Sequence, residues 1–288
     1  MKIAQVFALT GLCLVCVFCV SCKQEDPILP LEALGFDGKT AIVLPSGKVS
    51  FKFNQGITWK TSAGTASKNA QDSLVYVAPT NVGIYQMVIK NERDPKDSLV
   101  IKIAVSPRAD VLKPLQKGAY ALVFRHAAAD VGSDQLGSTT AEWWKSCDSK
   151  LARQLNDQGK KDAPAIGKTF KNLQIPIGRV LSSEYCRCYT TADLMNTGVA
   201  TQQLKDITYY VYDEANRYAN TIKAASNQPV DNQNTVLVIH GGFSGALPNP
   251  APLNALNWSD AAVFQLVAGQ TAKYITTIRA NEWIELGL

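Results

Sequence analysis

The sequence predicts an α/β domain with a mostly parallel central sheet flanked by helices, preceded by a small all-β domain. Short alternating runs typical of strands fill residues 31–106. The pattern changes at a turn-rich stretch, residues 107–118. From residue 120 onward, apolar strand-like runs alternate with segments of helical length. Alternating strands and helices are typical of a layered fold around a largely parallel sheet.

The first 21 residues are predicted to be an export signal. Lys2 is followed by an uncharged apolar stretch that is short for a membrane-spanning helix. Small residues then precede Cys22, and the chain turns polar at once, as in a bacterial lipobox. This resemblance implies cleavage before Cys22 and acylation of its thiol; an ordinary cleaved signal is the alternative. Residues 22–30 are interpreted as a linker.

The polar, acidic run after Cys22 is similar to surface-export signals in lipoproteins of the Bacteroidetes type. The expected location is therefore the bacterial outer membrane, held by a lipid anchor, on either its periplasmic face or the cell surface. Without residues 1–21 the chain carries 28 basic and 24 acidic side chains. No block of Lys or Arg accompanies this mild excess, so nucleic acid is not expected as a partner.

Three cysteines remain beyond the lipidation site, namely Cys147, Cys186 and Cys188. An exported protein meets an oxidising compartment, which favours one disulfide and one free thiol. Cys147 can pair with Cys186 or with Cys188, and a strained loop between the last two is the other option. Cys and His residues nowhere show metal-ligand spacing, so we predict neither a metal site nor a cofactor.

Residues 31–107 are predicted to form a β-sandwich, possible strands being separated by turn formers such as Pro45-Ser46-Gly47. An immunoglobulin-like arrangement is expected, although the Cys-Trp-Cys core signature is missing. The predicted strands are 40–44, 49–53, 73–77, 84–90 and 98–105. No cluster of titratable residues occurs here, so the domain is interpreted as a spacer or a binding module.

Residues 108–288 are predicted to form the α/β domain. The predicted strands are 120–124, 179–182, 206–212, 235–240, 261–267 and 273–279. The predicted helices are 150–159 and 163–173, separated by a Gly-Lys-Lys break, then 187–196 and 214–225. Ligands of such sheets bind beyond the carboxyl ends of the strands, which is where we expect the chemistry.

The chain has two histidines, and each directly follows a strongly apolar strand-like run. His126 comes after Arg125 at the end of the first run, and His240 ends the other run and precedes a Gly pair. If the two strands are parallel neighbours, both imidazoles emerge at the same rim of the sheet. A third segment reads as strand, turn and helix start, and places Arg187 near the same rim and near a helix N-terminus, which favours an anion.

These three segments together resemble the histidine phosphatase superfamily, also called the phosphoglycerate-mutase-like family. Its first motif, strand-Arg-His-Gly, is matched by Arg125 and His126, with Ala127 in place of Gly. The third, a strand ending in His-Gly, is matched by His240 and Gly241. The second motif is matched by Ser182, Ser183, Arg187, Thr191 and Ala192. The resemblance covers residues 119 to the C-terminus.

The resemblance implies a metal-independent phosphatase that acts on a phosphate monoester or a phosphohistidine. His126 is the implied nucleophile, and Arg125, Arg187 and His240 complete the implied phosphate site. Imidazole is a competent nucleophile toward phosphorus, and forked arginine donors match phosphate oxygens. The partner would be a phosphorylated small molecule or peptide.

The proton donor to the leaving group is the open element. Asp213 and Glu214 stand at the end of a strand-like run where such an acid of the family could sit, while the same two residues also fit a capped helix start. Glu184 and Asp130 are further candidates, and a site without any such acid is another possibility. The motifs of the phytase branch are missing, so phytate is not expected. The alternative function is a non-catalytic surface lipoprotein that binds phosphate, glycan or protein.

Overall fold

The computed structural model describes residues 28–227, 229–245 and 247–288. The predicted signal segment and the lipidation site Cys22 lie outside these residues, as does most of the predicted linker. Within them, no helix combines the length and the apolar character that crossing a bilayer requires.

Residues 28–105 contribute two four-stranded sheets. The strands are β1 Ala33–Leu34, β2 Ala41–Val43, β3 Lys48–Phe53, β4 Ile57–Thr61, β5 Thr65–Lys68, β6 Leu74–Val77, β7 Gly83–Asn91 and β8 Ser98–Val105. One sheet has the order β1-β3-β6-β5 and the other β2-β8-β7-β4. The pairs are antiparallel apart from β2 with β8.

The two sheets pack face to face around one apolar core. Leu74 and Tyr76 of β6 meet Met87 and Ile89 of β7 there, all fully buried. The five predicted strands correspond to β2, β3, β6, β7 and β8, and the sequence prediction missed β1, β4 and β5. Strand β1 is only two residues long, and β4 and β5 are edge strands, where the alternation of apolar and polar residues is weakest. The immunoglobulin-like arrangement stays a prediction.

The rest of the chain is a mixed α/β fold built on one six-stranded sheet. Its strands are β9 Tyr120–Arg125, β10 Ile177–Ser182, β11 Thr201–Gln203, β12 Asn234–Ile239, β13 Ala261–Gln265 and β14 Lys273–Ile278. The helices are α1 Ala109–Leu115, α2 Asp157–Leu173, α3 Cys186–Leu194, α4 Arg217–Ser226 and α5 Ala280–Ile284. The strand order is β11-β10-β12-β9-β13-β14.

The central strands β9, β10 and β12 run parallel, β11 joins them, and β13 and β14 add antiparallel pairs at one side. Every residue of β12 is buried, as expected for a strand covered on both faces. Alternate side chains of the sheet enter two separate apolar clusters, one per face. The carboxyl ends of β9, β10 and β12 therefore share one rim.

Helix α2 corrects the prediction of two helices with a break at Gly159. The helix begins at Asp157, where the Asn156 side chain accepts a hydrogen bond from Gly159 N (2.9 Å), and it continues unbroken to Leu173. Gly159 allows close packing: a Cβ there would lie 2.1 Å from Ala128 O. The glycine therefore lets the helix approach the segment that follows β9.

The predicted strand 206–212 is also wrong. Residues 205–207 form a single 3₁₀ turn, and Tyr210 has a left-handed φ of 53°, which a strand cannot hold. In this segment Tyr209 packs against Tyr185 and His240. The prediction also omitted α1, β11 and α5.

Cys147 and Cys186 form a disulfide, and Cys188 is a buried free thiol. Cys186 is the first residue of α3, so the disulfide links the segment before α2 to the start of α3. The adjacent aromatic cluster includes Trp143 and Tyr185, whose ring centroids are 5.8 Å apart. The disulfide and this cluster fix the segment between β9 and α2 beside the rim of the sheet.

Replacing Gly159 with alanine tests the close approach of α2. Alanine normally favours a helix over glycine, but its Cβ here would collide with a backbone oxygen, so we expect a loss of about 1–3 kcal/mol in the free energy of unfolding. Denaturant unfolding measures this. Lys160→Ala, in the same turn and exposed, should be nearly neutral. A Gly159→Ala protein at least as stable as the parent would contradict the packing argument.

Candidate active site

The two histidines meet because their strands are parallel neighbours. Strand β9 pairs with β12 in a register that sets Arg125 beside Ile239, the last residues of the two strands. The next residue on one side is His126, whose backbone N–H donates to Ile239 O (2.9 Å). His240 follows on the other side, and the two imidazole centroids are 5.3 Å apart. Both side chains are buried.

Arg187 lies against both rings. It is the second residue of α3, which starts just beyond the end of β10, and it is 1% exposed. Its Nε–H points to His126 Nε2 (3.3 Å), and its Nη2 lies 3.3 Å from His240 Nδ1. One edge of the guanidinium therefore faces the two imidazoles.

Backbone contacts fix the protonation of His126. Its Nδ1 lies 2.8 Å from Ala127 O. Because a carbonyl oxygen only accepts, Nδ1 must carry the proton and Nε2 must present its lone pair toward Arg187. Ala127 N in turn donates to Thr191 Oγ1 (3.1 Å), which ties the turn to α3. The Ala127 that departs from the family motif therefore still supplies the carbonyl that orients the ring.

The imidazole of His126 is held neutral. Burial lowers its pKa well below the ordinary value, and the charges of Arg187, Arg125 and Arg153 lower the pKa further. The pKa of His240 is lowered in the same way, by burial first and then by Arg187. A neutral imidazole keeps the lone pair that a nucleophile needs.

His240 is bound on both sides. Arg187 Nη2 can only donate, so His240 Nδ1 accepts, and the proton on Nε2 points to Ser183 Oγ (3.0 Å). Tyr209 stacks on the ring at 5.3 Å. Cys188 Sγ also lies 3.1 Å from Nε2, and burial raises the pKa of this thiol to about 12, so it stays protonated. Cys188 is thus no rival nucleophile.

The three arginines and two histidines surround a cleft of about 320 Å³. Its lining residues are Arg125, His126, Arg153, Arg187, Tyr209, His240, Gly241 and Gly242. Gly241 allows close packing, because a Cβ there would lie 3.2 Å from Arg125 Nε. The sequence prediction of Arg125, His126, Arg187 and His240 as one site corresponds to four side chains that share this cleft.

The arginines of the cleft have unused donors. Arg125 donates from Nη1 to Leu256 O (3.0 Å) and lies over the Trp258 ring at 5.8 Å. In the part of the chain that the structure describes, its buried Nε has no hydrogen-bond partner, and neither has the buried Nε of Arg153. Burial, together with the charges of Arg153 and Arg187, lowers the pKa of Arg125. Crowded cations with free N–H groups favour an anion in the cleft.

Arg153 and Tyr209 were missed from the sequence. Each lay inside a segment assigned to the wrong element: Arg153 in a predicted helix that is a loop, and Tyr209 in a predicted strand. The signal that could have placed Arg153 is Asn156, the residue that caps α2. Locating the helix start there would have put a basic residue in the loop at the sheet rim.

None of the proton-donor candidates named from the sequence lines the cleft. Glu214 pairs with Arg217 through both carboxylate oxygens, at 2.7 and 3.0 Å. Buried Arg217 in turn donates to His240 O (3.3 Å) and Gly242 O (2.6 Å), so this pair supports the loop after β12. Asp213 caps the short helix that follows it by accepting from Asn216 N, as the capping alternative predicts.

The two other candidates are also engaged elsewhere or turned away. Glu184 accepts hydrogen bonds from Trp144 Nε1 (3.0 Å) and the Tyr212 hydroxyl (2.8 Å). Burial by itself would raise the pKa of Glu184, but these bonds and Lys145 hold it below the ordinary value. Asp130 is exposed. Among the described residues, no group of three or more His, Cys, Asp or Glu side chains is placed to hold a metal ion.

Comparison with known proteins gives structural likeness only. No family model matches the sequence, and no curated protein matches it. Several of the solved structures that it resembles are described as phosphatases. One is the protein histidine phosphatase SixA complexed with tungstate, at 17% identity and a TM-score of 0.35, covering 56% of this chain and 97% of that one.

Another is a mycobacterial glucosyl-3-phosphoglycerate phosphatase, at 15% identity and a TM-score of 0.36, covering 55% of this chain and 96% of that one. A likeness of this degree identifies neither the reaction nor the substrate of this chain. Both have to be inferred from its own site.

The neutral state of His126 makes stability depend on pH. The pKa of His126 is lowered in the folded protein, so below the ordinary value of about 6.5 the unfolded chain binds a proton that the folded protein does not. Its stabilising contribution is full above pH 6.5 and is lost as the pH falls toward the folded pKa. Between pH 7.5 and 5.5 the parent should lose about 1 kcal/mol more than His126→Asn. Equal losses in denaturant unfolding would contradict a neutral imidazole.

Proposed function

We propose that the chain is a metal-independent phosphatase that hydrolyses a phosphate monoester or a phosphohistidine through a phosphohistidine intermediate on His126. One observation carries this proposal: a neutral imidazole with a fixed Nε2 lone pair faces a small cleft that also holds Arg125, Arg153 and Arg187. The arginines supply the charge that a phosphoryl group needs, and the imidazole supplies the nucleophile.

In the first step the Arg187 Nε–H that His126 Nε2 accepts turns to the phosphoryl group, and Nε2 attacks phosphorus. A P–N bond to the ring forms, and the bond from phosphorus to the leaving group breaks, which is P–O in a monoester and P–N in a phosphohistidine. The leaving group departs with the bonding electron pair and takes its proton from solvent. In the second step water attacks the phosphohistidine, the P–N bond breaks, and inorganic phosphate leaves with His126 regenerated. The Nδ1–H bond to Ala127 O stabilises the positive charge that develops on the ring as Nε2 is phosphorylated.

The arginines take separate parts of the phosphoryl group. Arg187 presents Nε and Nη2 on the edge that faces both histidines, and Arg125 and Arg153 each bring a buried Nε–H that has no partner in the described chain. The unpaired donors of Arg125 and Arg153 are set in place before the reaction and need no reorganisation as charge develops on the equatorial oxygens. His240 accepts from Arg187 Nη2 through Nδ1 and so helps to hold this arginine at the cleft.

The substrate class follows from the absence of a free acid. The described residues that line the cleft include no Asp or Glu, so this lining offers no carboxyl group to protonate the leaving group. Leaving groups that depart without strong acid assistance, such as phenols or the imidazole of phosphohistidine, fit such a site best. We therefore propose a phosphorylated small molecule or peptide of this class as substrate.

Hydrolysis of an aryl phosphate by the protein lacking residues 1–22, with and without a chelator, tests this function. We expect chelator-insensitive turnover that falls at least about 1,000-fold in His126→Ala with little change in melting temperature, since the covalent route is lost. Exposed Lys161→Ala serves as the surface control. Turnover that survives in His126→Ala would remove the nucleophile. Phosphate binding without turnover would favour the non-catalytic lipoprotein.

We also propose that the protein is exported and held on the bacterial outer membrane by lipid on Cys22, on its periplasmic face or the cell surface. The support is the lipobox-like sequence before Cys22. The disulfide between Cys147 and Cys186 is in keeping with an oxidising compartment.

Mass spectrometry of the N-terminal peptide from native membranes tests the anchor. We expect Cys22 as the first residue, carrying acyl chains, and a protein that moves to the soluble fraction in Cys22→Ala. An unmodified N-terminus further along the chain would instead indicate an ordinary cleaved signal.

A further inference from the structure

Asp134 holds the far end of the Arg187 guanidinium. Its two carboxylate oxygens accept from Arg187 Nη1 and Nη2, each at 2.9 Å. This end-on pairing uses the two terminal nitrogens, while the edge made of Nε and Nη2 faces His126 and His240. The carboxylate and the imidazoles thus contact different sides of one planar group.

The same carboxylate also contacts a second arginine of the cleft. Asp134 Oδ1 accepts from the backbone N–H of Arg153 (3.0 Å), and Oδ2 lies 3.7 Å from Arg153 Nη2. Arg187 Nη1 also lies 3.4 Å from Arg153 O. One acidic side chain therefore joins two of the three arginines that line the cleft.

Its loop turns this one side chain inward. The Asp134 side chain is 5% exposed, whereas Val131 is 100% and Leu136 is 57% exposed on the same loop. The next residue, Gln135, donates from its backbone N–H to Leu151 O (2.9 Å), which anchors the loop. The position of Asp134 is therefore set by the backbone around it as well as by the ion pair.

A buried guanidinium needs both a counter-charge and an orientation. Arg187 is 1% exposed, and an isolated charge at that depth is costly. A bidentate carboxylate fixes the plane of the fork as well as its position. Without it, the Arg187 edge that meets the phosphoryl group could rotate away from the line between His126 and the leaving oxygen.

We propose that Asp134 is a positioning residue for the phosphoryl transfer, acting through Arg187 and Arg153 to hold their donors toward the phosphoryl oxygens. This inference rests on the proposed phosphatase function. The geometry argues against an acid role, because both carboxylate oxygens accept hydrogen bonds from Arg187 and Asp134 is not among the residues that line the cleft.

Steady-state kinetics of Asp134→Asn in the full chain, purified in detergent, tests the proposal with an aryl phosphate and an alkyl phosphate. We expect kcat to fall about 30-fold, equally on both substrates, and KM to change by less than about threefold. The reason is that the orientation of the Arg187 guanidinium matters most in the transition state. Exposed Asp157→Asn makes the same charge change on the helix that follows the loop and should leave kcat unchanged.

A double-variant cycle shows whether Asp134 acts through Arg187. Adding Asp134→Asn to Arg187→Lys should cost less activity than Asp134→Asn costs in the parent, since the fork is already gone and only the contacts with Arg153 remain. Full additivity of the two losses would overturn the proposal. A loss confined to the alkyl phosphate would make Asp134 the proton donor and would also overturn it, as would an unchanged kcat.

Anion binding tests the role of Asp134 even if the parent protein shows no turnover or Asp134→Asn does not fold. Vanadate resembles the transition state and phosphate the product, and both respond alike to a lost charge, so the ratio of their affinities reports geometry. This ratio, from calorimetry, should fall about tenfold in Asp134→Asn. If Asp134→Asn does not fold, Asp134→Glu replaces it, because it keeps the counter-charge. The affinity ratio should also fall in Asp134→Glu, by less than about tenfold.

If the parent protein has no turnover, the proposed function fails, yet the affinity ratio still decides the role of Asp134. An unchanged ratio in both variants, or a parent that binds neither anion, would overturn the positioning role.

Discussion

The parallel pairing of β9 with β12 is the constraint on which the site depends. Its register ends both strands at the same level, and the hydrogen bond from His126 N to Ile239 O continues the ladder by one residue. The two imidazoles therefore leave the sheet side by side, and buried Arg187 fits against both. A shift of one residue in this register would turn one imidazole to the other face of the sheet and separate the two histidines. Secondary structure thus does most of the positioning, and the side chains need only complete it.

Around this pairing, small contacts link the three sequence motifs to one another. Thr191 of the second motif accepts from Ala127 of the first, whose carbonyl orients the nucleophile. Ser183 of the second motif lies 3.0 Å from the Nε2 of His240 in the third. These residues take no direct part in the chemistry, yet they hold the proton of each ring on one nitrogen. The spacing that makes the motifs visible in the sequence therefore has a structural cause.

The sequence grouped Arg125, His126, Arg187 and His240 together, as the structure does, whereas several of the elements around them were predicted wrongly. Strand ends next to His126 and His240 are readable because buried parallel strands form continuous apolar runs, and Arg187 follows a third such run. Arg153 was not predictable in this way, because it lies in a loop whose course depends on a disulfide and an aromatic cluster. Asp134 was missed for the same reason, since its exposed neighbours give no sign that one carboxylate turns inward. Gly159 led to a wrong prediction of a helix break. The glycine is needed there for close packing against Ala128, and a sequence alone does not distinguish these two uses of glycine.

The central claim is that a phosphoryl group passes through His126. Rapid quenching of the reaction in base, followed by mass spectrometry of the peptide that contains His126, tests this most directly. The account predicts a phosphate on that imidazole within the first turnover, disappearing as substrate is consumed and absent from His126→Ala. Turnover with no phosphorylated peptide, or with the phosphate on another side chain, would contradict it.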